Sequence, residues 1–411
     1  MWELNADVVI GANYGDEGKG LVTDYLCRQY PSNETVINVR FNGTSQAGHT
    51  VQFGEHRHVF SHFGAGSFNP NVITFLTEDF YINPIAANAE RKVLERITKQ
   101  NELLVVKKAP FVLPWDIMLN QAREKYRQSS TRNHGSCGCG LWEAVQRSKD
   151  KHFVFNGFSD YFMNRTRGVI DRILTYEMQQ VLQFIRDNYY DDVVIDMLSE
   201  KGYLDRELFY AQSTVDKYIE EVVEMSKYIK TVTPYNLVRE YKNFVFEGAQ
   251  GLLLDEDNIR EYPHVTASKT GTHNVEEFFD KAGVEISEID FNLYYVTRPY
   301  LTRHGAGPMP TECPVSLLER EFDMKIYDHT NVYDEFQEEF RYGELDINSL
   351  ICRISRDRRL YGMDEPENVT LVVTHAQTLT EKQMEKFSLG AGSTMFSCSK
   401  DGMEWKYWLR D

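Results

Sequence analysis

The stretch VVIGANYGDEGKG (Val8–Gly20) is the part of the chain from which the fold can be inferred. Three apolar residues of strand type lead into a loop with four glycines, and the periodic segment Leu21–Leu26 follows. A strand, a glycine loop and a helix in this order direct backbone N–H groups at a phosphate. The stretch is not a Walker A motif, because Asn13 and Gly20 occupy the positions of its first glycine and its Ser/Thr.

Two carboxylates in this loop, Asp16 and Glu17, would repel a phosphate unless a cation or a proton-transfer reaction needs them. A second stretch, RFNGTSQAGHTV (Arg40–Val51), follows the apolar run Thr35–Val39. It places His49 between a glycine and a threonine, just beyond a predicted strand. The first fifty residues therefore contain a candidate acid–base pair beside a candidate phosphate loop.

Together, these two stretches resemble the adenylosuccinate synthetase family. Three further segments match motifs of that family in the same order, namely FEGAQG (Phe246–Gly251), YPHVT (Tyr262–Thr266) and TRHGAGPMPTE (Thr302–Glu312). The resemblance is strong from residue 11 to residue 312 and weak over the segment that follows.

The order of apolar runs and periodic segments predicts an α/β fold with a large, mostly parallel central sheet flanked by helices, similar to P-loop NTPases. We expect one domain over residues 1–411, with a helical insertion over about 160–242. A helix is expected over 84–104 and a loop over 127–133. Strands are expected at 8–10, 35–39, 72–76, 103–106, 111–113, 244–247, 293–296 and 369–373.

Composition excludes several classes of partner. The formal net charge of −17 argues against nucleic acid or an anionic membrane, and no apolar run is long enough to span a bilayer. Six cysteines are scattered without a disulfide or zinc pattern, which favours a reducing, cytoplasmic environment. Cys137 and Cys139 fit a tight glycine-rich loop better than half of a metal site.

The family resemblance implies an ATP- or GTP-driven carbon–nitrogen ligase. Its members phosphorylate the 6-oxo group of a purine nucleoside monophosphate and displace it with the amine of aspartate. Asp16 would then be the base and a ligand of Mg²⁺, which the Gly48 carbonyl would also hold. His49 would stabilise charge on the transferring phosphoryl group, and Gln250 would contact the purine. The residues expected to bind nucleotide or phosphate are Gly15, Glu17, Gly18, Lys19, Gly20, Gln46, Thr50, Ser136, Arg147, Thr266, Arg303, Thr374 and Gln377.

Two departures from the family pattern affect the substrates. The late turn after strand 369–373 reads Thr374–Gln377 and lacks the aspartate that reads guanine, so we expect ATP as the donor. In the segment that would bind the amino acid, Thr330, Asn331 and Arg341 are the candidates. The family has several arginines in this segment, whereas here only Arg341 is present, among acidic residues. Whether the amino acid is aspartate therefore stays open.

Other features resemble the phage-type branch of the family, which makes N6-succino-2-amino-adenylate from dGMP. These are the short loop Gly135–Glu143, the segment from Asp328 to Gly343, and Gln46 in place of asparagine. Because Asp16 is retained, as in enzymes acting on IMP, the choice among IMP, GMP and dGMP stays open. Members of the family are homodimers in which an arginine reaches the partner's nucleotide, and Arg147 is the nearest candidate here.

Two alternative functions stay open at this point. One is a P-loop-like nucleotide kinase or NTPase, against which the missing Ser/Thr after Lys19 argues. The other is a non-catalytic nucleotide-sensing relative, which the altered amino-acid segment allows. Asp16, Lys19 and His49 each have a structural interpretation as turn, helix or buried residue, and only their joint occurrence indicates a site.

Overall fold

A computed structural model of the chain places ten strands in one sheet, and the neighbours are parallel except at one edge. The structure describes residues 3–98, 102–130, 134–155, 170–327, 335–337, 339–360, 369–387, 392–399 and 404–409. The sheet strands are β1 (Leu4–Gly11), β2 (Val36–Arg40), β5 (Val72–Leu76), β6 (Leu103–Val105), β7 (Ile229–Thr231), β8 (Asn243–Gly251), β9 (Ile289–Thr297), β12 (Val369–Val373), β13 (Ser393–Ser397) and β14 (Trp405–Leu409). Their order is β14-β13-β12-β9-β1-β8-β2-β5-β6-β7.

Two antiparallel pairs lie outside this sheet: β3 (His49–Phe53) with β4 (His56–Phe60), and β10 (Tyr300–His304) with β11 (Phe340–Glu344). The helices are α1 (Lys19–Gln29), α2 (Pro84–Leu94), α3 (Pro114–Gln128), α4 (Leu141–Ser148), α5 (Ile170–Tyr189), α6 (Asp192–Glu200), α7 (Arg206–Tyr210), α8 (Gln212–Met225), α9 (Pro234–Glu240), α10 (His273–Ala282), α11 (Val315–Glu321), α12 (Ile347–Leu360) and α13 (Glu381–Phe387). Within the described chain, no helix combines the length and apolar character needed to cross a membrane.

The central strands are buried on both faces, and their side chains alternate between two apolar clusters. Val8 and Ile10 of β1 pack into a cluster that includes Phe246 and Phe278, whereas Val9 packs against Val22 on the other side. This alternation follows from the two-residue period of a strand, and burial of both faces explains why β1 is almost wholly apolar. Because β1, β2, β8, β9 and β12 are parallel, their carboxyl ends meet at one edge.

The sequence predictions for the sheet are confirmed for the strands at 8–10, 35–39, 72–76, 103–106, 244–247, 293–296 and 369–373, and so is the α/β fold class. Five helices lie between Ile170 and Glu240, with β7 among them, and that this segment is an insertion remains a prediction. That residues 1–411 form one domain stays a prediction.

Three local predictions were wrong in whole or in part. The helix expected over 84–104 is α2, which ends at Leu94. The segment 111–113 is not a strand, because Phe111 forms only an isolated bridge with Ile82 before α3 begins. The loop expected from residue 127 starts later, since α3 continues to Gln128, and residues 131–133 lie outside the described chain.

Gly251, at the end of β8, is a position where the sheet edge leaves no space for a side chain. A Cβ atom there would lie 2.3 Å from the Asn13 carbonyl oxygen and 2.8 Å from the Gly15 nitrogen. Both are backbone atoms, so the β1 loop would have to move. We expect Gly251→Ala to lower the free energy of unfolding by about 1–3 kcal/mol, measured by urea denaturation.

A matched control is Gly54→Asn in the turn between β3 and β4. A Cβ atom at Gly54 would meet nothing within 4 Å, and its φ of 58° is one that asparagine tolerates. Equal destabilisation by the two substitutions would contradict the proposed tight contact between the end of β8 and the β1 loop.

Candidate active site

The loop between β1 and α1 has the backbone geometry of an anion site. Gly15, Asp16 and Gly18 all have positive φ, at 99°, 58° and 90°. Glycine adopts these angles without strain, and aspartate is among the few residues that tolerate them. Gly18 caps α1 without a side-chain hydrogen bond, so no side chain of the described chain satisfies the first amides of the helix in the usual way. Backbone N–H groups at this helix end can therefore bind a phosphate.

Close approaches between backbones bring the predicted residues together. A Cβ atom at Gly20 would lie 2.8 Å from the Cβ of His49, and one at Gly18 would lie 2.9 Å from Thr374. The Thr374 hydroxyl donates to the Glu17 carbonyl at 2.7 Å. The glycines of the loop thus let the start of β3 and the end of β12 contact it directly.

A buried ion cluster holds His49. Nδ1 of His49 is hydrogen-bonded to Glu247, whose same oxygen lies 3.8 Å from a guanidinium nitrogen of Arg40. The other Glu247 oxygen accepts from the Ala65 amide at 3.0 Å and from the Asn38 side chain at 3.1 Å. Because Glu247 only accepts, Nδ1 of His49 is the protonated nitrogen and Nε2 points away from the carboxylate.

Charges around this cluster set its protonation. Burial acts to raise the pKa of Glu247, but Arg40, His49 and the amide hydrogen bond outweigh it and lower the pKa to about 2. Burial lowers the pKa of His49, although Glu247 opposes this shift. The carboxylate is therefore ionised at neutral pH, and the imidazole is neutral and oriented.

Several buried polar atoms at this edge have no hydrogen-bond partner within the described chain. They are Nε2 of His49, both side-chain polar atoms of Gln250, and Oε1 of Gln46. Gln250 lies against Gly43, where a Cβ atom would be 3.4 Å from its side-chain nitrogen. An unsatisfied buried polar group costs about 1–3 kcal/mol, so a set of them at one sheet edge indicates a site for a polar ligand.

Lys19 connects the two halves of this region. It is buried, and burial lowers its pKa, against the opposing effects of Glu17, Asp16 and Glu247. The charges of Asp16 and of the His49 partner Glu247 thus both act on the same lysine. Burial also raises the pKa of Glu17 to about 7, and one oxygen of Glu17 accepts from the Asn13 amide. Lys19 is therefore the buried cation on which the carboxylates of both motifs act.

A second group of predicted residues lies around the 134–140 loop. The Ser136 hydroxyl donates to Asn120 at 3.0 Å, and a Cβ atom at Gly135 would lie 2.8 Å from the Ala306 nitrogen. Nδ1 of His264 lies 3.1 Å from the His134 carbonyl oxygen, and Thr266 follows two residues later. The structure thus brings the loops of Ser136, Thr266 and Arg303 into contact.

Three predicted arginines are held by groups of the chain itself. Arg147 is fully buried and pairs with Asp116 at 2.9 Å. Arg303 pairs with Glu261 at 2.5 Å and donates to three backbone carbonyls. Arg341 pairs with Glu312 and donates to the carbonyls of Gly305 and Gly307. Their binding roles stay predictions, and in this conformation each side chain has a structural role.

The remaining predicted residues are more dispersed. Thr50 lies in β3 beside His49, and Gln377 is exposed in the turn after β12. Thr330 and Asn331 lie outside the described residues.

Sequence reasoning did not assign roles to Glu247, Arg40 or Arg353. Glu247 and Arg40 had a signal, since each is a charge at the end of an apolar strand. Arg353 of α12 donates to the Ala12 carbonyl at 3.1 Å and to the Asn13 side chain. It lies where the resemblance is weak, and no motif indicated it.

The residues predicted to hold Mg²⁺ fit a hard cation. Asp16 is partly exposed at the apex of the loop and makes no hydrogen bond or ion pair within the described chain, and Gly48 exposes its backbone. Carboxylate and carbonyl oxygens are the ligands that Mg²⁺ prefers, with water and phosphate completing the set. The donor set is therefore suitable, while its geometry around an ion stays a prediction.

The chain is similar in sequence to a known enzyme family. The family model described as adenylosuccinate synthetase matches residues 8–341. The adenylosuccinate synthetase of Buchnera aphidicola subsp. Schizaphis graminum is 29% identical over 312 residues, covering 75% of this chain and 66% of that protein. The one from Xylella fastidiosa is 31% identical over 309 residues, covering 74% and 64%. The matched segments span slightly less than two thirds of these relatives.

Two solved structures have a similar fold. Fully ligated adenylosuccinate synthetase from Plasmodium falciparum has a TM-score of 0.66 at 18% identity, covering 99% of this chain and 87% of that one. Succinoaminodeoxyadenylate synthetase of cyanophage S-2L, bound to dGMP and dATP, has a TM-score of 0.61 at 14% identity, covering 99% and 96%. At these identities the likeness concerns the fold alone.

The Glu247 cluster predicts a specific loss of stability in acid. The folded pKa of Glu247, about 2, lies below its ordinary value of 4.5. The ionised group therefore contributes stability that is fully present above the ordinary pKa and is lost as pH falls towards the folded pKa. We expect the urea midpoint of the wild type to fall more steeply than that of Glu247→Gln between roughly pH 5 and pH 3.

The control for this measurement is Glu34→Gln. Glu34 is also ion-paired, with Lys242, but its side chain is partly exposed to solvent. Solvent screens such pairs, so its substitution should leave the acid slope nearly unchanged. Parallel slopes for the wild type and Glu247→Gln would contradict an ionised, buried Glu247.

Proposed function

The chain belongs to the adenylosuccinate synthetase family, and from this premise we propose that it is an ATP-dependent ligase of the family type. It would phosphorylate the 6-oxygen of a purine nucleoside monophosphate and replace it with the amine of aspartate. The observation that carries the proposal is that the oriented His49, with its unpartnered Nε2, and Gln250, with its unpartnered amide, both lie beside the glycine loop.

The proposed chemistry divides into two steps. In the first, Asp16 accepts the N1 proton of the purine while the 6-oxygen attacks the γ-phosphoryl group and ADP leaves. In the second, the amine of aspartate attacks C6, the C6–O bond breaks, and the phosphate leaves with the proton that the amine loses as the C6–N bond forms. A 6-oxo group is a poor leaving group and a phosphate is a good one, which is why the first step is needed.

Each residue has a role that its surroundings support. Glu247 fixes the ring of His49 and would stabilise its imidazolium form, so that Nε2, once protonated as the phosphates bind, would donate to the oxygen atoms on which charge develops. Lys19 and the loop amides would hold the phosphates of the donor. Gln250 offers both a donor and an acceptor to the purine edge. Mg²⁺, held by Asp16 and the Gly48 carbonyl, would neutralise charge on the phosphates.

Several features of the chain favour a particular phosphoryl donor and a particular purine. Gln377 and His375 follow β12 where a carboxylate would read guanine, which supports ATP. The solved relative from cyanophage S-2L is described as bound to dGMP and dATP. With Gln46 and the short Gly135–Glu143 loop, this favours dGMP over IMP for this chain.

A substrate panel tests the proposed activity. The protein is incubated with Mg-ATP, aspartate and IMP, GMP or dGMP. One purine should be consumed, with release of ADP and phosphate, and chromatography measures the products. Release of phosphate without a new C6–N bond, across a panel of amino acids, would instead indicate a kinase or a nucleotide sensor.

Substitution of His49 tests the mechanism. We expect His49→Ala to lower kcat by roughly a hundredfold or more, because it removes charge stabilisation at the reacting oxygens, while binding of the monophosphate stays within a few fold. Rates come from the same assay and binding from calorimetry. The matched control is His58→Ala in β4, whose ring contacts Phe60 rather than the loop. An unchanged rate in His49→Ala would remove this residue from the mechanism.

The choice of donor is tested at Gln377. Gln377→Asp supplies a carboxylate that can accept from the guanine N1–H and amino groups. We expect the kcat/KM ratio of GTP to ATP to rise, measured with the preferred monophosphate. An exposed site such as Thr380→Asp in the same turn is the control. If the GTP-to-ATP ratio of kcat/KM does not change, the nucleobase of the phosphoryl donor binds elsewhere.

A further inference from the structure

A cavity of about 610 Å³ lies between α3 and α6, and none of the residues predicted for the active site lines it. We call it the α3–α6 cavity, and define it by Arg123, Arg127, His134, Val194, Met197 and Leu198. Its size is that of pockets which hold small organic ligands.

The two walls of the cavity differ in chemistry. Arg123 and Arg127, one helical turn apart on α3, form the cationic wall, and His134 adds ring nitrogens. Val194, Met197 and Leu198 of α6 form the apolar wall. In a chain with a net charge of −17, paired guanidinium groups beside an apolar surface suit an organic anion with an apolar body.

The arginines keep donors for a ligand although each has a carboxylate partner. Arg127 pairs with Glu124 at 3.1 Å, and Arg123 pairs with Glu143 at 3.4 Å. Each contact uses one nitrogen of a group that carries five N–H donors. Burial raises the pKa of Glu143 to about 7, so this carboxyl opposes an anion less than an ordinary glutamate would.

A separate cavity adjoins it on the side of α4. This second cavity, of about 200 Å³, shares Arg123 and Val194 and reaches Glu143. Glu143 is 4% exposed, and its Oε2 atom has no hydrogen-bond partner in the described chain. A buried carboxyl oxygen without a partner next to a shared arginine indicates that a polar group of a ligand belongs there.

One residue links this cavity to the candidate active site. Glu124 is fully buried and gives one oxygen to Arg127. Its other oxygen accepts from the backbone amides of His134 and Gly135, both at 2.8 Å, and of Ser136 at 3.4 Å. A ligand that draws Arg127 into the cavity would remove the ion-pair partner of Glu124, so that the negative charge of Glu124 acts more fully on the three amides of the Ser136 loop.

We propose that the α3–α6 cavity is a binding site for a small organic anion, a phosphate or carboxylate with an apolar body, and that its occupancy alters the 134–136 loop. The binding does not depend on the proposed ligase activity. Only the consequence for catalysis rests on that activity, through the predicted contact of Ser136 with the substrate phosphate.

Calorimetry on the full chain tests the binding, with phenyl phosphate, phenylacetate and inorganic phosphate as probes. We expect at least one aromatic probe to bind saturably, and inorganic phosphate to bind about tenfold more weakly because it makes no contact with the apolar wall. The tighter of the two aromatic probes identifies the head group.

Two variants approach the cavity from opposite walls. Arg123→Gln combined with Arg127→Gln removes the donors, and Val194→Phe fills the space while leaving both ion pairs in place. Each should weaken the aromatic probe about tenfold or more. The control is Arg206→Gln, which removes an exposed arginine paired with Asp196 of α6 outside the cavity and should bind like the wild type.

Hydrogen exchange measured with and without the probe tests the link to the loop. We expect slower exchange at 134–136 in the wild type and no change in Val194→Phe. Failure of both aromatic probes to bind, or equal binding by the wild type and both variants, would overturn the site. Binding without any change at 134–136 would overturn the link. If the substrate panel shows no ligase activity, the results on probe binding and on hydrogen exchange at 134–136 are unaffected.

Discussion

The buried carboxylate of Glu247 is the interaction on which the arrangement of the candidate site depends. It is fully buried in the middle of β8, and it joins Arg40 and Asn38 of β2, His49 of β3 and the Ala65 amide. Removing one partner from a buried ion cluster commonly costs about 3–5 kcal/mol, because the remaining charge stays desolvated. The cluster therefore fixes the β3–β4 pair against the sheet edge.

Parallel strand order explains why distant segments of the sequence meet at this edge. β1 lies between β8 and β9, so the loops after residues 11, 251 and 297 leave the sheet side by side. Glycines at 18, 20 and 251 then allow contacts that a Cβ atom would prevent. Sheet topology brings the segments to one place, and the missing side chains let their backbones approach.

The sequence predicted the centre of the sheet well, because both-face burial makes β1, β2, β5, β8, β9 and β12 apolar runs with glycine turns. It did not predict the short strands outside the main sheet, β3, β4, β10 and β11, of which only β10 is largely buried. It also did not predict β7, β13 and β14, which lie at the two ends of the main sheet. Glu247 and Arg40 could have been recognised as charges ending apolar strands. Arg353 could not, since only the docking of α12 brings it to Asn13.

The candidate site differs from the buried cluster around Asp116 in how its polar groups are satisfied. Asp116, also buried, meets Arg147, Tyr190 and the Leu113 amide, so its environment is complete within the chain. His49, Gln250 and Gln46 each retain an unpartnered atom at the sheet edge. The open cluster costs some stability, because its buried polar groups lack hydrogen bonds. A ligand that supplies those hydrogen bonds gains binding energy at this place. Because Glu247 anchors His49, a ligand that satisfies these atoms meets an imidazole ring that is already oriented for it.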